Sequence, residues 1–120
     1  MASELTTPGT ISFTKAPASL VSMNEAGKSF DVTGTKSVRG VQNIAITAEA
    51  INLGDVGTPG WFFIRNLDTT HFVELFTAAA GVAFQKLKPG EFTIGRFAVA
   101  APAAQADTAT CNIEYLIVED

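Results

Sequence analysis

One cysteine, one histidine and no cluster of basic residues leave few chemistries open to this 120-residue chain. A lone Cys111 excludes an intrachain disulfide framework and a cysteine-based zinc site. His71 could build at most a His-carboxylate dyad with Asp68 or Glu74, and no Ser or Cys stands beside it in a nucleophile-elbow motif. The 8 basic residues are scattered among 12 acidic ones for a net charge of -4, so the footprint of a nucleic-acid binder is missing. No apolar run approaches the roughly 20 residues that a membrane helix requires. Residues 1–9 show neither a basic n-region nor an apolar h-region and so do not read as a secretory signal; the expected place of synthesis is a cytoplasm. The glycines of residues 54–60 precede neither a Gly-Lys-Ser/Thr sequence nor a helix, which removes the phosphate-loop reading.

What the chain has in quantity is apolar surface. Hydrophobic residues make up 47% and charged ones only 17%, against about 25% charged in an ordinary domain. That surplus implies contact with other subunits. The length suits one core. Residues 1–10 are small and polar and read as an N-terminal arm, either frayed or docking, ahead of one domain over residues 11–120.

Nearly every segment alternates with period two. Ile11 and Phe13 share one face, 16–18 breaks the run, Leu20 and Val21 start a short strand, and 24–27 is a turn cluster before Phe30 and Val32. Residues 38–53 shift phase between Val41 and Ile44, which predicts a bulge near Gly40 or Gln42 and a further strand after Glu49. A helix over 42–50 is disfavoured by its β-branched residues and its period.

The aromatic-rich stretch 60–76 reads as the central hairpin, reversed by the Asn, Asp and Thr residues of 66–70. Phe62 and Ile64 take one face, Trp61 and Phe63 the other. Lys88-Pro89-Gly90-Glu91 is a type II turn expected to close a tight hairpin. Phe92, Ile94, Phe97 and Val99 stay on the core face if a bulge falls at Gly95-Arg96. Residues 100–109 are Ala-rich and read as a long loop. In the last strand Ile113, Tyr115 and Ile117 share one face while Leu116 and Val118 make the other apolar too. Cys111 opens that strand as a small buried hydrophobe.

The expected fold is therefore all-β: an antiparallel, jelly-roll-like β-sandwich of about eight short strands. No catalytic, cofactor or metal site is expected, since the loop carboxylates Asp55, Asp68, Asp107, Glu119 and Asp120 lack the spacing of a calcium loop. Sugar stacking on Trp61, Phe62 and Phe63 is the competing use of the aromatics. Trp61, Phe63, Leu116 and Val118 are the candidate subunit interface, because one face of these strands needs a cover other than the opposing sheet.

From Gly60-Trp61-Phe62-Phe63-Ile64-Arg65-Asn66-Leu67-Asp68 through His71-Phe72-Val73-Glu74-Leu75, then Leu87-Lys88-Pro89-Gly90-Glu91 and the closing Ile113-Glu114-Tyr115-Leu116-Ile117-Val118-Glu119-Asp120, the sequence resembles small β-sandwich structural proteins of tailed-bacteriophage virions. The resemblance covers roughly the C-terminal half and is most like the capsid decoration, or cement, proteins. It implies a non-enzymatic protein on the capsid surface, made in the host cytoplasm. Such a protein would be homo-oligomeric, often trimeric, and would bridge major capsid subunits without nucleic acid or membrane. A tail or baseplate component, or a carbohydrate- or receptor-binding module, is the alternative.

Overall fold

The computed structural model describes residues 5–13 and 21–120. The chain divides into two compact units, Met1–Thr33 and Gly34–Asp120. The expected break at 16–18 and Leu20 lie outside the described residues. No helix occurs among the described residues.

The first unit contains an antiparallel ribbon of β1 (Leu5–Phe13) and β2 (Val21–Phe30). The arm expected over residues 1–10 is thus strand from Leu5 onward, and the boundary that partitions the chain lies at Thr33/Gly34. Residues 24–27, read as a turn, belong to β2. Their turn chemistry serves a bulge instead: Thr7 pairs with Lys28 but Gly9 with Glu25, which places one extra residue opposite Pro8, a residue with no N–H for a ladder.

The second unit is a β-sandwich of eight strands: β3 (Ser37–Ile44), β4 (Glu49–Ala50), β5 (Pro59–Asn66), β6 (Val73–Phe76), β7 (Ala83–Leu87), β8 (Phe92–Arg96), β9 (Ala103–Ala106) and β10 (Cys111–Glu119). One sheet has the order β3-β10-β5-β8 and the other β4-β9-β6-β7, all antiparallel. The chain doubles back once, between β6 and β7. From there its two halves run side by side, β5 with β8, β4 with β9 and β3 with β10, and the ribbon rolls up through the added pairings β5–β10 and β6–β9. This is the jelly roll.

The topology corrects two expected hairpins. Residues 60–76 do not form one, because β5 and β6 lie in different sheets and the turn between them carries the chain across the sandwich. The Lys88–Glu91 turn is made as expected, with Glu91 N–H donating to the Lys88 carbonyl at 2.9 Å and Gly90 at φ 79°, yet it too joins different sheets. The local hairpin of this unit is β6–β7, closed where Thr77 N–H donates to the Val82 carbonyl and Val82 N–H to the Thr77 hydroxyl.

One core joins both sheets: Ile44, Phe62, Ile64, Ile113, Tyr115 and Ile117 from one meet Val73, Leu75, Leu87, Ala104 and Ala106 from the other. Residues 100–109 therefore are not a loop. Ala103–Ala106 is a strand buried between β4 and β6, and its alanines suit a position where a larger side chain would not fit the close-packed interior. The bulge expected in β3 is missing as well. Its register against β10 is continuous, and Val41 breaks the phase because it points out of the core.

β8 departs from expectation for a steric reason. Gly95 pairs with Phe62, whose ring lies 3.3 Å from where a Cβ would stand and stacks on Phe97 at 4.1 Å. The Phe62 ring thus takes the inner space over β8. Thr93 and Gly95 face inward, Phe92 and Ile94 face outward, and Phe97 returns to the core beyond the strand.

Candidate interaction surface

The polar turn between β5 and β6 is stitched by side chains, as the Asn and Asp residues of 66–70 suggest. Asn66 is fully buried and fully bonded: its Nδ2 donates to the carbonyls of His71 and Leu87, each at 3.0 Å, and its Oδ1 accepts from Asp68 N–H at 2.9 Å. Asp68 in turn accepts from the N–H groups of Thr70 and His71. These donors hold its carboxyl below the usual range, the His71 N–H contributing most.

The imidazole Nδ1 of His71 lies 3.3 Å from Asp68, so the dyad drawn from sequence exists in space, but as part of a turn. Cys111 is buried with Sγ 3.7 Å from the carbonyls of His71, Phe72 and Ala109, and burial pushes its thiol up. A raised thiol is a poor nucleophile. Among the described residues no three His, Cys, Asp or Glu side chains converge to hold a metal ion.

The outer face of sheet β3-β10-β5-β8 is where the surplus apolar residues collect. Alternation along β5 and β10 sends Phe62, Ile64, Ile113, Tyr115 and Ile117 inward and leaves Trp61, Phe63, Leu116 and Val118 on the outside. Register arranges them in rows. Across the middle run Arg39, Leu116, Phe63 and Ile94. On one side lie Val41, Glu114, Arg65 and Phe92; on the other, Ser37 pairs with Val118 and Trp61 with Arg96.

Exposure on this face is high for such side chains, at 60% for Phe92, 58% for Val41 and 39% for Leu116. Trp61, Phe63 and Val118 are half-buried by their neighbours. Phe63 stacks on Phe92 with centroids 5.4 Å apart, and the Arg65 guanidinium lies 5.2 Å from the Phe63 centroid while its Nε meets Glu114 at 3.4 Å. At the rim, Arg96 pairs with Asp120 and Asn43 donates to Asn112 at 2.9 Å.

All four residues singled out from sequence thus sit on one face, and Phe63 and Leu116 are direct cross-strand partners. Val41, Phe92 and Ile94 were not anticipated there. Phe92 and Ile94 face outward because the Phe62 ring fills the inner space over Gly95, and Val41 because β3 runs without a bulge. The described geometry is an apolar row of Leu116, Phe63 and Ile94 flanked by Trp61, Val118, Val41 and Phe92, with the Arg65–Glu114 pair on the same face. No protein family, curated protein or solved structure matches this chain.

Proposed function

We propose that this protein is a non-enzymatic structural component of a tailed-bacteriophage virion, a capsid decoration protein that lays the outer face of sheet β3-β10-β5-β8 on neighbouring major-capsid subunits and bridges them. The observation that carries the reading is that face itself, an apolar centre spread over four strands of a jelly roll. Jelly rolls serve in viral capsids and in lectins. Bridging two subunits requires area and complementary shape, not a pocket, and burying a Phe, Leu or Val side chain yields about 1.5–3 kcal/mol.

The lectin-like alternative needs an exposed aromatic platform beside hydrogen-bonding groups. Of the aromatics that could form it, Phe62 lies in the core, as does Tyr115, which donates its hydroxyl to the Asn52 carbonyl at 2.9 Å. Trp61 stands half-buried opposite Arg96 on the apolar face. A tail or baseplate site would use the same surface against a different partner.

The test is co-sedimentation with capsids stripped of decoration protein. Wild type should sediment with them, whereas Phe63→Glu, which puts a carboxylate at the centre of the face, should remain in the supernatant with an unchanged circular dichroism spectrum. Wild type that ignores capsids, or Phe63→Glu that sediments as wild type does, would overturn the proposal.

A further inference from the structure

The β1–β2 ribbon has two unlike faces. Cross-strand partners share a face, so the register places Thr6 with Ser29, Thr10 with Asn24 and Ser12 with Ser22 on one side. Apart from the bulge at Pro8, the residues there carry a hydroxyl or an amide, and Thr6 hydrogen-bonds Ser29 while Thr10 bonds Asn24. That side suits water. The opposite side carries Leu5 with Phe30 at one end, Ile11 with Met23 toward the other, and Thr7 with Lys28 and Gly9 with Glu25 between them. Ile11 and Met23 are 76% and 81% exposed.

A two-stranded ribbon is marginal in water unless its apolar face is covered. The order of groups along that face says by what. From the Leu5–Phe30 row to the Ile11–Met23 row it runs apolar pair, cation, anion, apolar pair, and the ladder then continues to Phe13 with Val21. A two-fold axis between the Lys28 and Glu25 rows maps the Leu5 row onto the Ile11 row and each charge onto its opposite. An isologous partner is a surface that meets both conditions at once.

We propose that the β1–β2 ribbon is a self-association element that packs its apolar face against the same face of a second copy of this chain, with Lys28 of each copy facing the partner's Glu25. The assembly is then built from dimers. This pairing is independent of the capsid-facing surface and would stand if that reading failed.

The experiment uses the full chain and exchanges charges between copies. Sedimentation equilibrium at low salt, where screening is weak, should show wild type as a dimer. Lys28→Glu sets Glu against Glu at two places in the dimer, and Glu25→Lys sets Lys against Lys. Each variant alone should dissociate with a constant raised about ten-fold or more. Mixed in equal amounts, the two variants should form a heterodimer as tight as wild type, because every contact is complementary again. A purely intrachain role for these charges could not be rescued by mixing. A monomeric or trimeric wild type, or a mixture no tighter than its components, would overturn the proposal.

Discussion

Strands β5 and β10 carry apolar side chains on both faces, and the two faces differ in what covers them. Inside, Ile64, Ile113 and Ile117 are sealed by the opposing sheet. Outside, Phe63 and Leu116 oppose each other, and Phe63 stacks on Phe92 of the same sheet. The chemistry of the side chains is nearly the same. Position in a period-two alternation decides whether their burial is realised on folding or, under the proposed function, on association. The inner face should therefore govern stability and the outer face binding.

Truncation on the inner face should test this most severely. Ile64→Ala should cost about 2–5 kcal/mol by removing packed methyl groups from a site with no exposure, read as a lower denaturant midpoint with an unchanged slope. Phe63→Ala, its outward neighbour, should cost about 1 kcal/mol, chiefly the stacking on Phe92. Equal losses at the two positions would break the division of labour.

A smaller effect concerns acid. Glu119 accepts hydrogen bonds from Gly57 N–H at 3.0 Å and Thr35 N–H at 3.1 Å, and these donors, Gly57 first, lower its proton affinity. A carboxyl with a lower pKa folded than unfolded contributes stability above its unfolded pKa and loses it as pH falls through the folded one. Thermal midpoints should therefore drop as pH falls below about 4. Glu119→Gln should flatten part of that drop and leave the outer-face binding intact.

Much of the fold was legible in these residues, and the failures share a cause. Alternation predicted which side chains of β5 and β10 face inward, and the Asn66 and Pro89-Gly90 turns reverse the chain where their chemistry indicates. The partners of each strand were illegible, because a turn specifies a local path and not which sheet receives the next strand. A jelly roll sends most successive strands to opposite sheets. Residues 100–109 misled for a related reason: Ala103–Ala106 has no strand propensity of its own and is strand because β4 and β6 lie on either side of it. The same blindness hid Phe92 and Ile94 from the candidate surface, since Phe62 filling the space over Gly95 is a cross-strand fact.

The place of β10 between β3 and β5 has a kinetic consequence. The strand nearest the C-terminus is central to its sheet, and its pairing of Val118 with Ser37 joins segments about as remote as the sandwich allows. Closing so large a loop precedes its reward, which slows folding. While a ribosome is still adding residues 111–119, β3 and β5 have no strand between them. Until those residues are in place the outer face does not exist as a surface.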